Sequence, residues 1–141
     1  MGKRWAPLAG VFVLALAVGA AQAATVTYKA TLNGASEMPP TTSPGTGSAT
    51  VTVDTTTKMV SWNVTFAGLT GPATAAHIHC SQTVGTAGPV AVPFANNPTS
   101  PITGSATASD QTIADMAAGK CYVNVHTAAN KPGEIAGWLK P

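Results

Sequence analysis

Two short runs of sequence hold all three histidines and both cysteines of this 141-residue chain. The first run covers residues 75–80 and the second covers residues 120–127. Both are apolar and rich in β-branched or aromatic residues, a pattern that predicts β-strands. Because the side chains of a strand alternate between the two faces of its sheet, the position of each His and Cys also assigns it to a face.

The alternation separates the histidines from the cysteines. On the first strand His77 and His79 share one face, and Cys80 lies on the other. On the second strand His126 lies on the face opposite to that of Cys121. The face away from the histidines carries the apolar side chains of Ile78, Cys80, Cys121, Val123 and Val125. Burying that face therefore leaves all three histidines together on the other one.

The spacing of the histidines predicts a metal site if the two strands are antiparallel neighbours with the cysteines opposite each other. His77 then faces Asn124, and His126 lies diagonal to His77, about 7–8 Å away at the backbone, which long side chains can span. Metal–nitrogen bonds of about 2.0–2.1 Å require ligands that the backbone has already brought close. We expect His77, His79 and His126 to bind a transition metal. Copper is the first choice and zinc the second, because imidazole ligands suit both ions and Cu(II) binds more tightly.

Three further residues are candidates for completing this site. Glu134 or Glu37 would provide a carboxylate, either as a ligand or as a group that orients an imidazole. Met38, next to Glu37 in a proline-rich loop, offers a thioether. The commoner fate of such loop residues is a solvated Glu and a Met that fills the edge of the core. Likewise, outward-facing histidines on a sheet are often ordinary hydrogen-bonded surface residues.

The amino terminus predicts export. Residues 1–23 resemble a secretory signal peptide, with a basic start at Lys3 and Arg4, an apolar run over residues 8–20 and small residues before the expected cleavage site. Cleavage would leave one domain, residues 24–141, in the periplasm or outside the cell, and no later stretch is long enough to span a membrane. In an exported chain the two cysteines most simply form a Cys80–Cys121 disulfide. A free Cys80 acting as a soft metal ligand is the alternative, although it points away from His79.

Charge and motifs exclude several functions. Loss of Lys3 and Arg4 lowers the basic count from 7 to 5, against 5 acidic residues, so the formal charge of the remaining chain is zero. This balance argues against a nucleic-acid partner. The chain has no Gly-x-Ser-x-Gly elbow for a hydrolase and no obvious pair of carboxylates for glycoside chemistry.

The remaining pattern is that of an all-β protein. About eight short strands with frequent turns predict an antiparallel, Greek-key-like β-sandwich or a flattened barrel. Residues 95–103, with two prolines, are expected to be a long crossover connection. The exception to the β pattern is a short helix over residues 110–118, with Ser109 as its cap and Gly119 at its end.

Several blocks of the sequence resemble the CHRD domain, a family named for its occurrence in chordin and also found singly in exported bacterial proteins. The blocks are residues 32–40, 45–49, 76–80, 88–90 and 122–127 with 132–135. Chordin binds growth factors outside the cell, so the resemblance implies an extracellular protein whose partner is another envelope or extracellular protein. The family commonly has Arg after Gly-Glu-Ile, where this chain has Ala136.

A looser similarity is to copper-zinc superoxide dismutase, in which a His-x-His strand and a further His bind copper. His77, His79 and His126 are similar in kind, but the chain has no loop rich in His and Asp for zinc. Three functions therefore stay open: a metal-binding protein of the cell envelope, a non-catalytic interaction module, and a small copper-dependent oxidoreductase.

Overall fold

The computed structural model describes residues 1–3 and 24–141. Most of the predicted signal peptide lies outside the described residues, so this prediction and the predicted cleavage stay untested. The described elements are β1 (Thr25–Asn33), a 3-10 turn (Gly34–Ser36), β2 (Thr46–Asp54), β3 (Met59–Ala67), β4 (Ala73–Cys80), β5 (Val90–Pro93), β6 (Ile102–Thr107), α1 (Asp110–Ala117), β7 (Cys121–Thr127) and β8 (Ile135–Trp138). Within these residues no helix combines the length and the apolar character that crossing a membrane requires.

All strands belong to one antiparallel sheet, in the order β5-β4-β7-β8-β1-β2-β3-β6. The sheet curls into a nearly closed barrel, which confirms the all-β prediction and selects the barrel over the two-sheet sandwich. Two aromatic rings from opposite ends of the strand order stack on each other. Trp62 of β3 and Phe94, which follows β5, have ring centroids 4.5 Å apart.

The inward face of the barrel is filled by the alternating apolar residues of the strands. On β2 and β3 the buried positions are every second residue, including Val51 and Val53 opposite Trp62 and Val60. The α-helix of the described residues follows the predicted chemistry: the Ser109 hydroxyl accepts a hydrogen bond from the Thr112 N–H at 3.1 Å. Met116 of this helix is fully buried in the same core.

The prediction of a crossover connection misses an edge strand. Residues 102–107 form β6, which pairs with β3, whereas the sequence analysis ends the connection at residue 103 and assigns no strand after it. The strand escapes detection because Ile102 is its one fully buried residue and the alternation is therefore weak. Gly104 lies directly opposite Trp62, and a Cβ at this position would come within 2.6 Å of the indole ring. The close approach of the ring requires a glycine there.

Candidate metal centre

The pairing of β4 with β7 has the register that the sequence analysis assumes. Cys80 lies opposite Cys121, His77 lies opposite Asn124, and Ala75 lies opposite His126. The two cysteines form a disulfide with their Cα atoms 4.1 Å apart, which confirms the predicted bond and excludes Cys80 as a free soft ligand. His126 is therefore the diagonal neighbour of His77 on the face away from the disulfide.

The three imidazoles converge on one point. His77, His79 and His126 each offer a ring nitrogen, and these three atoms lie within 4.8 Å of one another. His77 Nδ1 and His126 Nε2 are 3.0 Å apart. Two nitrogens that share one metal at about 2.0–2.1 Å are separated by roughly 3–4 Å. The pair already has this spacing, and the third nitrogen lies within 4.8 Å of both.

Backbone carbonyls hold two of the rings in the tautomer that a metal needs. His79 Nδ1 donates to the Gly88 carbonyl and His126 Nδ1 donates to the Lys131 carbonyl, each at 2.8 Å. A carbonyl only accepts, so in the neutral rings the lone pair resides on Nε2. Both Nε2 atoms therefore carry a lone pair, and that of His126 accepts a hydrogen bond from His77 Nδ1. The hydrogen bond from Nδ1 to a carbonyl is typical of histidines that bind metals.

The protonation states of His77 and His79 also favour the binding of a cation. Burial lowers the pKa of His77 to about 4, and repulsion from His126 and His79 adds to the effect. Burial likewise lowers the pKa of His79, against the opposing effect of its hydrogen bond to Gly88. Both rings are neutral at pH 7, and a neutral imidazole is the form that coordinates metals.

Aromatic rings fix the position of His79. Tyr122 stacks on it with centroids 5.1 Å apart and planes 7° from parallel. Trp138 packs on the far side of Tyr122, with ring centroids 4.9 Å apart. The Gly88 N–H donates to the Tyr122 hydroxyl at 3.3 Å, so the loop that binds His79 also holds its neighbour. These contacts limit the rotation of the His79 ring.

The two candidate carboxylates lie outside the group of three histidines. Glu134 is fully buried, but its carboxylate accepts hydrogen bonds from Ser43 Oγ at 2.6 Å and from the Thr70 N–H at 2.7 Å, and it also bonds Thr127. It joins three loops and is not placed to complete the metal shell. The prediction of Glu134 as an additional ligand is therefore not supported by its contacts.

Glu37 is also buried, so the expectation of a solvated loop Glu is wrong. Its Oε1 accepts the Met38 N–H at 2.9 Å, and burial raises the pKa of its carboxyl. The neighbouring Asn124 amide partly opposes this rise in pKa. The carboxyl and the amide lie close together, because a Cβ placed on Gly133 would contact both of them. The side chain of Met38 is half-buried, and ligation by its thioether stays a prediction.

Asn124 was not among the residues that the sequence predicted to be functional. Alternation correctly puts it on the histidine face, but polar residues on that face are expected to meet solvent. In the structure Asn124 is 1 % exposed. Its position in the sequence was the available signal for a role at this site, because Asn124 is two residues before His126 and lies opposite His77 in the predicted strand pairing.

Comparison with known proteins identifies one family. The family model of the CHRD domain matches residues 28–139, which is most of the chain and includes all three histidines. Domains of this kind occur in extracellular and secreted proteins. No curated protein and no solved structure matches the chain.

Proposed function

The chain belongs to the CHRD domain family, and we propose that it is an exported protein, periplasmic or secreted, that binds a transition metal through His77, His79 and His126. The observation that carries the proposal is the convergence of three ring nitrogens within 4.8 Å. His79 and His126 each donate the Nδ1–H to a backbone carbonyl, which leaves the lone pair on the converging Nε2. The extracellular occurrence of the family supports export.

Copper is the metal that the donors favour most. Three neutral imidazoles suit both Cu(II) and Zn(II), and Cu(II) binds a given set of nitrogen donors more tightly. Folding brings these nitrogens together through long-range strand pairing. Metal binding would therefore cost little additional conformational entropy of the protein. His77 and His126 are half-buried, so an ion would have access to the site from solvent.

The test is a titration of the purified, disulfide-bonded protein with Cu(II) and Zn(II) against a competing chelator. We expect one tight equivalent for the wild type and loss of that equivalent in the triple variant His77→Ala, His79→Ala, His126→Ala. Asp110→Asn is the matched control, because Asp110 is an exposed carboxylate on the helix. Equal metal uptake by the wild type and the triple variant would reject the proposed site.

A second candidate function is binding of an acidic extracellular partner. A groove of about 610 Å³ on the outer face of the sheet is lined by Lys29, Lys140 and Trp138 together with several hydroxyl groups. Neither lysine forms an ion pair within residues 1–3 and 24–141, whereas Lys58 pairs with Asp110 at 2.8 Å. An aromatic ring beside unpaired cations suits an anionic surface.

This candidate has a separate test. A synthetic acidic peptide should bind the triple histidine variant as well as the wild type, and it should bind a Lys29→Ala, Lys140→Ala variant more weakly at low ionic strength. Equal binding by the wild type and the lysine variant would reject the groove as the interaction surface. The metal-binding proposal would be unaffected.

A further inference from the structure

Four buried side-chain atoms have no hydrogen-bond partner among the described residues: Glu37 Oε2, Trp62 Nε1, His79 Nε2 and Asn124 Oδ1. Trp62 Nε1 is a donor inside the barrel. His79 Nε2 and Asn124 Oδ1 belong to the histidine face, and in the tautomer assigned above both are acceptors. Glu37 Oε2 belongs to the loop after the 3-10 turn. Leaving a buried acceptor unsatisfied costs about 1–3 kcal/mol, so the two acceptors on the histidine face need a physical explanation.

Asn124 occupies the middle of the histidine cluster. It lies directly opposite His77 on β4, and Tyr122 lies opposite His79, so His79 is its diagonal neighbour. His126 is two residues further along β7 on the same face. The backbone thus directs one amide side chain and three imidazoles toward a common region.

The two ends of the Asn124 amide have different surroundings. Its Nδ2 faces the Pro132 carbonyl at 3.5 Å. A Cβ placed on Gly133 would lie 2.8 Å from this nitrogen and would collide with the Glu37 carboxylate. Both neighbours of Nδ2 accept hydrogen bonds, so they hold the nitrogen on their side. The amide oxygen, Oδ1, is thereby turned toward the histidines, of which His77 lies directly opposite Asn124 and His79 lies diagonal to it.

The facing atoms are complementary to a cation. His79 Nε2 carries a lone pair because His79 Nδ1 donates to Gly88, and Asn124 Oδ1 carries lone pairs only. Neither group can donate to the other while His79 is neutral. A metal ion would satisfy both acceptors at once without the need for a proton.

We propose that Asn124 Oδ1 is a fourth ligand of the metal ion held by His77, His79 and His126, and that Glu37 is a positioning residue that fixes the Asn124 amide. The inference rests on the proposed function and specifies its donor set as three nitrogens and one oxygen. Four-coordination of this kind suits Zn(II) and Cu(II). The oxygen is a poor ligand for Cu(I), which prefers sulfur donors, so Asn124 favours the divalent ion.

The experiment compares the affinity for Cu(II), Zn(II) and Cu(I) in four variants of the full protein. Asn124→Leu removes the oxygen, Asn124→Asp keeps an oxygen donor, and Glu37→Gln weakens the anchor of the amide. Asn63→Leu, at an exposed position of β3, is the matched control. Near-UV circular dichroism and intact disulfide content check that each variant is folded.

We expect Asn124→Leu to weaken the binding of Cu(II) and Zn(II) by about 10-fold or more, with a smaller effect on the binding of Cu(I). Glu37→Gln should weaken the binding of Cu(II) and Zn(II) by about 10-fold. The hyperfine coupling of Cu(II) in electron paramagnetic resonance should change in Asn124→Leu. Asn124→Asp should restore affinity to within a few-fold of the wild type. An unchanged spectrum and affinity in Asn124→Leu would overturn the fourth ligand while leaving the three-histidine site intact.

A crystal structure of the copper-loaded wild type gives a test that does not depend on any variant folding. An Asn124 Oδ1 to metal distance of about 2.0–2.2 Å is expected. A distance beyond about 3 Å would overturn the inference. Failure of the wild type to bind any metal would instead reject the proposed function itself.

Discussion

The buried carboxylate of Glu134 is surrounded by donors that are themselves neutral. Hydrogen bonds to it come from Ser43, Thr70 and Asn130, in the loops after β1, β3 and β7, and from Thr127 at the end of β7. Burial alone would raise the pKa of this carboxyl, but the hydrogen bonds outweigh burial and hold the pKa at about 2. The negative charge is therefore part of the folded structure, and it ties together three loops at one end of the barrel.

Replacement of Glu134 by Gln should lower the free energy of unfolding by about 2–3 kcal/mol, because hydrogen bonds to a charged acceptor are stronger than those to an amide. The folded pKa lies below the ordinary value of about 4.3, so the advantage of the wild type is present above pH 4.3 and is lost as the pH falls toward 2. Urea unfolding of both proteins from pH 7 down to 2 measures this difference.

The exposed Asp110→Asn variant controls for the general effect of removing a negative charge. It should change the free energy of unfolding by less than about 1 kcal/mol. A Glu134→Gln variant as stable as the wild type at pH 7 would show that the carboxylate is not needed for folding.

At the scale of elements, the pairing of β4 with β7 links the disulfide to the histidine cluster. The same register that places Cys80 opposite Cys121 on the inner face makes His77 and His126 diagonal neighbours on the outer face. A slip by one residue would turn every side chain of one strand to the wrong face. The disulfide therefore constrains the geometry of the candidate metal centre from the opposite side of the sheet.

Replacement of both cysteines by Ala should lower the free energy of unfolding by about 4 kcal/mol, from the chain entropy of a loop closed across 41 residues. Chemical denaturation of the oxidised wild type and the double variant measures the loss. Wild type unfolded in the presence of reductant is the control and should approach the stability of the variant. Equal stability of the oxidised wild type and the variant would contradict the expected role of the bond.

The edge strand β6 depends on a glycine that lets Trp62 lie against it. Gly104→Ala should lower the free energy of unfolding by about 1–3 kcal/mol, because the added methyl would overlap the indole ring in a filled core. Gly71→Ala is the matched control, since a Cβ at Gly71 meets no atom within 4 Å. Equal midpoints of thermal unfolding for the two variants would contradict the proposed contact.

At the scale of the whole molecule, the candidate metal centre lies next to the part of the sheet where the barrel closes. The histidines lie on β4 and β7, and β4 is next to the edge strand β5. Phe94, just after β5, stacks on Trp62 from the other end of the sheet, and the Phe94 N–H donates to the Ala76 carbonyl of β4. The strand that carries two of the histidines is thus held on one side by β7 and on the other by the closure contact.

A metal that binds only the folded protein should therefore stabilise the whole domain. At a free metal concentration 100 times the Kd, the expected gain is about 2.7 kcal/mol, which corresponds to a rise in Tm of about 10 °C for a domain of this size. Differential scanning calorimetry with Zn(II), which avoids redox side reactions, measures the shift. The triple histidine variant should show no shift, and an equal shift in both proteins would indicate binding elsewhere.

Much of the region around the histidines could be predicted because the information is local. The period of two along residues 75–80 and 121–127 separates the cysteines from the histidines without any knowledge of the fold. The disulfide follows from two cysteines in a chain predicted to be exported, and it implies the register once the strands are neighbours. The helix was predictable because its cap, Ser109, and its terminating Gly119 are adjacent to it in sequence.

Other features were missed because they depend on contacts between distant segments. The strand β6 lacks alternation, and its place is set by Trp62 on β3. Glu134 was one of several candidates for the metal centre because of its position in the motif, and its buried hydrogen bonds to loops far away in sequence were not predicted. The burial of Asn124 was not predicted, and the residues close to its amide, Glu37 and Gly133, come from two other loops.

The sequence by itself determined that the three histidines share one face of two strands and that the cysteines share the other, since side-chain direction in a strand depends only on parity. Tertiary structure decided that the sheet curls into a barrel, that Glu134 serves the fold and that Asn124 is buried among the imidazoles. These outcomes depend on which distant segments meet, and that is set by the packing of the whole core rather than by any local pattern.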